Sequence, residues 1–289
     1  GYEALTDNTS GGHNVAVGRQ ALTNNQIGDH NVAIGRNSLS TNIDGDRSIA
    51  IGSYALYTQE PASNLEMNNV AVGYSAGYAV TTGQNNVLIG GLAGYTIATA
   101  NNNTAVGHKA LYTNVDGDQN TAVGYQALHK FEADTDGHGN NTGLGYQAGY
   151  GISVGTDNTA IGCNALDADP STGDNNTAVG AHALTQATSG ANNTAIGVQA
   201  MNATTVGERN IAIGRQALAT NVDGDDNVAI GHEALTNMEP AENAGYNTAV
   251  GSYAGQAISN GVKNVCIGYT AGNSLTTGDN NIIIGFNAQ

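Results

Sequence analysis

The same short alternation of polar and apolar residues recurs sixteen times along the chain. An Asn (Ser48 once) is followed by a β-branched residue, a small residue, a second aliphatic residue, a Gly, two variable positions and most often Ala-Leu. "NTAVGYQAL", Asn120 to Leu128, is representative. The position after the Asn is Val, Ile or Thr in all sixteen copies, and the position before the Gly is Val or Ile in fifteen, with Leu144 the exception. β-Branched residues two apart around a small one describe a strand with two distinct faces. The pattern predicts a strand of about five residues ending at the glycine.

Twelve of the sixteen intervals between marker glycines (Gly1, Gly18, Gly35 and onward through Gly124 to Gly285) are 17 residues, and the others are 18, 20, 21 and 21. A constant period signals a repeat architecture before any local motif is weighed. A five-residue strand that must turn and return within 17 residues finds its ladder partners in neighbouring repeats. The expected fold is therefore all-β, a parallel β-solenoid or β-roll of about 17 rungs at about 4.8 Å each. Residues 1–289 read as a single repeat array, a segment beginning and ending within a repeat.

Each column has a reason. Stacked amides, as at Asn14, Asn31, Asn120, Asn158 and Asn193, can bond along the array or hold the preceding turn. The marker glycines, Gly18, Gly35 and Gly124 among them, supply a positive φ or a crowded corner. Leu stands four places after the marker ten times. With the Val/Ile column it predicts a narrow core, in which Val123 and Leu128 are expected. Two or three sizeable apolar side chains per rung fall short of the backbone entropy lost, about 1 to 2 kcal/mol per residue. The chains are thus expected to associate, burying an Ala or Val/Thr face.

Composition narrows the function. There is no Trp, and 8 Lys plus Arg stand against 24 Asp plus Glu, a formal charge of −16. Such a surface repels phosphate backbones and anionic lipid, so neither nucleic acid nor membrane insertion is expected. No apolar run approaches the roughly 20 residues of a membrane span. Cys163 and Cys266 lie about six repeats apart, too far for a disulfide if repeats stack.

A larger block is repeated three times. The turns Asp44-Gly45-Asp46, Asp116-Gly117-Asp118 and Asp223-Gly224-Asp225 each precede a repeat with an insertion, near residues 57–68, 129–140 and 236–246. The repeats that follow end Ala-Gly in place of Ala-Leu, at Gly77, Gly149 and Gly255. All three insertions should leave from one corner, and Glu60, Pro61, Phe131, Glu132, Glu239 and Pro240 are the candidate recognition residues. The Asp-Gly-Asp pairs are weak calcium candidates through Asp44, Asp46, Asp116, Asp118, Asp223 and Asp225; Asp-Gly is above all turn chemistry, and the full calcium loop is missing. No other cofactor is expected.

Nothing pairs a nucleophile with a base, no His/Cys spacing suggests zinc, and "GLGYQAG" at Gly143 to Gly149 has the wrong spacing for a phosphate loop. No enzyme is expected. His13 and His30 should stack one period apart. Tyr2, Tyr74, Tyr125, Tyr146, Tyr269 and Phe286 share the register after the marker glycine, a column that covers a corner or stacks on sugar rings. The run Thr104, Thr121, Thr142, Thr159, Thr177 and Thr194 is the register an ice-binding face would use, a minor reading because the column is Val or Ile elsewhere.

The motif "NTAVGYQAL…N…G…NNTAVG" resembles repeats of bacteriophage tail-fibre and tail-spike-like proteins. "NVAIG" and "NVAVG" resemble the head repeats of trimeric autotransporter adhesins. The resemblance implies a left-handed parallel β-roll in a homotrimeric fibre, on a virion or a cell surface. The reading is a structural fibre that projects or contributes to receptor binding; the alternative is an adhesin head that binds host matrix or glycans directly.

Overall fold

The computed structural model describes residues 1–61, 63–133, 138–239 and 244–289. The chain is a parallel β-solenoid with one three-residue strand per turn, and it divides into two compact halves, Gly1–Leu144 and Gly145–Gln289. The N-terminal half holds β1 (Val15–Val17), β2 (Val32–Ile34), β3 (Ile49–Ile51), β4 (Val70–Val72), β5 (Val87–Ile89), β6 (Thr104–Val106), β7 (Thr121–Val123) and β8 (Thr142–Leu144). The C-terminal half holds β9 (Thr159–Ile161), β10 (Thr177–Val179), β11 (Thr194–Ile196), β12 (Ile211–Ile213), β13 (Val228–Ile230), β14 (Thr248–Val250), β15 (Val265–Ile267) and β16 (Ile282–Ile284).

Within each half every strand pairs in parallel with its sequence neighbours, and like stacks on like: Val15 on Val32 and Ala16 on Ala33, Thr177 on Thr194 and Ala178 on Ala195. The insertion between β3 and β4 leaves the register intact, with Ile49 on Val70 and Ala50 on Ala71. Sixteen strands form, against the 17 rungs expected, because the Gly1 marker begins the chain without strand residues before it.

The strands are shorter than expected for a backbone reason. Gly18 sits at φ 137°, and two left-handed residues follow, Gln20 at 57° and Leu22 at 53°. Pairing continues around these turns all the same. Gly35 N donates to Val17 O at 2.8 Å, Asn37 N to Arg19 O at 3.0 Å and Leu22 N to Ser38 O at 2.9 Å. The ladder therefore runs well beyond the three strand residues, and the period is set by matching turns as much as by sheet.

The expected core needs one correction. The residue facing inward from each strand is the central Ala, fully buried at Ala33, Ala50, Ala122, Ala178 and Ala212, while the flanking β-branched residues face outward. Val123, expected in the core, is only half-buried, and Leu128 is fully buried. A 17-residue coil already filled by a Leu and one or two Asn has no room for Val on the strand's inner side.

The interior is filled by exchange between positions. Where the corner is Leu, the residue three places on is commonly small or polar, as at Asn25, Asn42, Asn114 and Asn221; where it is Gly77, Gly94, Gly149 or Gly255, that residue is Val80, Ile97, Ile152 or Ile258. At Gly94 the two volumes compete, since a Cβ there would lie 2.8 Å from Ile97 Cδ1 and 2.6 Å from Leu88 Cδ2, whereas Leu128 and Leu235 share their coils with Phe131 and Met238. Leu88 is itself the one Leu at the central strand position. Corner leucines stand in the left-handed region, Leu56 at φ 46° and Leu128 at 48°. Such strain costs about 1–3 kcal/mol, offset by the roughly 1.5–3 kcal/mol of burying a Leu side chain.

Candidate functional site

The asparagine column is a ladder of bonds between coils. Asn31 Nδ2 donates to Gly45 O at 2.7 Å, and Asn31 Oδ1 accepts from Ser48 N at 2.9 Å. The same pair of bonds holds Asn158 to Gly173 O and Asn176 N, and Asn193 to Gly207 O and Asn210 N. Asn14 and Asn120 keep the same acceptor role toward Asn31 N and Asn141 N. This explains the Gly three residues before twelve of the sixteen column positions. Its carbonyl is the acceptor, and a Cβ there would crowd the next coil, as at Gly11, 2.5 Å from Gly28 O. Where Ser48 breaks the column, Gln59 supplies the amide, its Nε2 meeting Asn42 Oδ1 and Ser48 Oγ at 3.0 Å each and its Oε1 accepting from Asn69 Nδ2 at 3.0 Å.

The link between Asp-Gly-Asp turns and insertions is also structural. Each turn is closed from within by an Asn: Asn114 Nδ2 donates to Gly117 O at 2.8 Å, and Asn221 Nδ2 to Gly224 O at 2.9 Å. The second Asp accepts a backbone N–H from the coil before, Asp46 from Asp29, Asp118 from Asn101 and Asp225 from Glu208. Each insertion then rejoins the stack against that Asp, through Met67 N to Asp46 O, Asn140 N to Asp118 O and Tyr246 N to Asp225 O. Asp116 accepts from the Thr99 hydroxyl at 2.5 Å. Among the described residues no group of three or more His, Cys, Asp or Glu is placed to hold a metal ion, and neither the pair Asp44 and Asp46 nor Asp223 and Asp225 is joined by a further such ligand.

The insertion residues read as recognition candidates are mostly anchors. Phe131 is fully buried, in the interior column three places after Leu128, with the turn glycine Gly117 leaving its ring room: a Cβ there would lie 2.5 Å from Phe131 Cε1. Pro61 is buried beside Gly45, Glu239 is exposed, and Pro240 lies outside the described residues. Glu60 turns back to accept from Ile43 N at 3.0 Å, and Glu132 makes the same reach to Val115.

Both glutamates are held above the ordinary 4.5, first by desolvation and then by Asp44 or Asp116, against the lowering effect of the backbone N–H. A carboxyl with a raised folded pKa binds more protons folded than unfolded between the two values, so stability falls as pH rises through that window and stays lower above it. The double variant Glu60→Gln, Glu132→Gln is expected to unfold at higher urea than the parent at pH 7 and at the same urea below about pH 4. An unchanged or lower midpoint at pH 7 would contradict the desolvation account.

The outward strand positions form two columns in each half, one before the marker glycine that is aliphatic throughout and one after the Asn that mixes Val and Ile with Thr. Ile34, Ile51 and Ile89 in the N-terminal half, and Ile196, Ile213, Ile230 and Ile267 in the C-terminal half, each leave 36–38 % of their surface exposed. The Thr run occupies the companion column, from Thr104 to Thr142 in the first half and from Thr159 to Thr194 in the second.

A second surface was not foreseen. Tyr57, Tyr78, Tyr95, Tyr112 and His129 follow the Leu/Gly corner and stack with centroids 5.1–5.3 Å apart and planes within 17°. From Tyr78 onward they are spaced 17 apart, in a register distinct from that of the marker glycine. In the marker register, Tyr2, Tyr74, Tyr125, Tyr146, Tyr269 and Phe286 are exposed, and His13 stacks on His30 at 4.7 Å. The two registers meet in an open groove of about 410 Å³ lined by Tyr54, Tyr74, Ser75, Tyr78, Leu92, Tyr95 and Tyr112. Cys163 and Cys266 are both free thiols.

No protein-family model, curated protein or solved structure matches the chain. The likeness to tail-fibre and adhesin-head repeats rests on the motif alone.

Proposed function

We propose that the chain is a structural module of a fibrous surface appendage, of the phage tail-fibre kind, and that it assembles with further copies of itself through its strand face. The observation that carries this is the outward column before the marker glycine, aliphatic on every strand of both halves and always at least partly exposed, from half-buried at Val123 to 64 % exposed at Ile284. Single exposed aliphatic residues are ordinary, whereas a continuous apolar face marks a contact surface. Covering what remains exposed of each side chain contributes on the order of 1 kcal/mol. The Ala-lined interior leaves the isolated chain in need of that contribution. A homotrimer is the assembly that the motif's resemblance implies, and a virion or cell-surface location goes with it. An adhesin-like head that binds ligand along its own flank is favoured by the tyrosine groove.

Sedimentation equilibrium tests the assembly. The expected mass is three times the 29.2 kDa chain, and lysine at Ile51 and Ile213 is expected to release monomer. A parent that stays monomeric at tens of micromolar, or a double variant that stays assembled, would overturn the strand-face interface.

A further inference from the structure

We propose that the tyrosine groove of the N-terminal half binds an acidic oligosaccharide. The groove lies past the marker glycines, in the registers of Tyr74 and Tyr78, and does not use the outward strand positions. Self-association and groove binding are therefore separate claims with separate readouts.

The wall chemistry indicates a polar, ring-shaped ligand. Five of the seven lining residues are tyrosines, another is Ser75, and Leu92 is the only aliphatic one, so a lipid or alkyl ligand would gain little from burial there. Tyr78, Tyr95 and Tyr112 are stacked face to face, which turns their edges outward as a row spaced 5.2–5.3 Å. Tyr74 stands across from them, 61 % exposed, its ring edge-on to Tyr54 at 6.4 Å. Phenol rings combine an apolar face with a hydroxyl, the pairing that suits a sugar's C–H face and its hydroxyls. The row repeats once per coil, about 4.8 Å, close to the advance of one pyranose along an extended chain. A peptide strand, by contrast, would look for an open sheet edge, and the backbone here is bonded from coil to coil.

Two local cations indicate an acid, against the chain's net charge of −16. Only 8 Lys and Arg serve the whole chain. Among the described residues Arg47, Arg209 and Arg215 pair with carboxylates. Arg36 and Lys109 do not; they lie on tyrosine faces, Arg36 at 5.0 Å from the Tyr54 centroid and Lys109 Nζ at 5.4 Å from that of Tyr112. A cation on an aromatic face keeps its charge available to an anion. Neither lines the groove itself; they flank its residues Tyr54 and Tyr112, and the coils that carry them are four steps apart in sequence, or about 19 Å at the usual strand spacing. An oligosaccharide of about four units with carboxylates would reach both.

Isothermal titration of the full chain at low ionic strength, with tetragalacturonic acid, maltotetraose and tetraglutamate as probes, tests this. Saturable binding of tetragalacturonic acid is expected, weakened by added salt and at least tenfold by Lys109→Gln or Arg36→Gln. Tyr74→Ala should cost at least tenfold with the thermal midpoint unchanged, since that ring is mostly exposed. Maltotetraose is expected to bind at least tenfold more weakly and tetraglutamate not to saturate. Three results would each overturn the proposal: no saturation by tetragalacturonic acid at tens of millimolar, equal binding of maltotetraose or tetraglutamate, or indifference to all three substitutions.

Discussion

Gly90→Ala is expected to destabilise the N-terminal half by about 4 kcal/mol or more, while Gly91→Ala, one residue on, is expected to be neutral or mildly stabilising. The two glycines differ in what surrounds them. Gly90 sits at φ 135°, a backbone region that L side chains avoid, and a Cβ there would lie 2.5 Å from Gly107 O and 2.7 Å from Gly107 C. Those are backbone atoms of the next coil, so relief requires the coils to part and the flanking ladder bonds to stretch. At Gly91 the nearest atom to a Cβ would be His108 Cδ2, at 3.4 Å, and no positive φ is required. An alanine there removes unfolded-state freedom worth about 0.4–1 kcal/mol. Urea unfolding followed by circular dichroism, with limited proteolysis to locate the opened segment, reads both. Repeat arrays unfold in segments, so the cut sites should cluster around residue 90 in the first variant. Equal behaviour of the two variants would remove the marker-glycine argument.

That adjacent glycines differ so sharply shows what the sequence could reveal. The period, the parallel stacking and the Asn and Gly columns are legible because each is a fixed residue at a fixed spacing, and stacking follows from it. The side of the strand that faces inward is not legible by the usual rule. In Thr121-Ala122-Val123 the larger aliphatic residue suggests the core, yet Ala122 takes it. The deciding quantity is the interior volume left by Leu128 and the amide columns, and that depends on how tightly the turns close. Leu56 and Leu128 adopt left-handed φ values that a sequence reading would not assign to leucine.

The insertions mislead for a related reason. Their first residues look like the start of a loop because the period breaks there. In fact Gln59, Phe131 and Met238 still occupy the interior column three places after Leu56, Leu128 and Leu235, and all three are fully buried. Counting from the corner leucine, and not from the next asparagine, would have placed them. The same count would have aligned Tyr57 with Tyr78, Tyr95 and Tyr112 and exposed the second aromatic column. What no count supplies is that this column and the marker-register tyrosines converge, since that follows from the turn geometry between them.

Asn193→Ala is expected to cost the C-terminal half about 3 kcal/mol or more, because two buried groups lose their partners at once. Asn193 Nδ2 donates to Gly207 O at 2.8 Å and Oδ1 accepts from Asn210 N at 3.0 Å. Asn193 and Asn210 are both fully buried, so water does not take over either bond. An unsatisfied buried polar group costs about 1–3 kcal/mol, and the lost side-chain volume adds to it. Asn193→Asp separates the two bonds. The carboxylate still accepts from Asn210 N but turns an oxygen toward Gly207 O, placing a buried charge against an acceptor. Protonation restores a donor at that position. The Asp carboxyl should therefore have a raised folded pKa, bind more protons folded than unfolded, and recover stability as pH falls through that window. At pH 7 the urea midpoint of the Asp variant is expected at or below that of the Ala variant; at pH 4 it is expected above. A cost under about 1 kcal/mol for Asn193→Ala, or an Asp variant that does not recover in acid, would mean that the coils are held by backbone pairing alone and that the amide column fills space without bonding them.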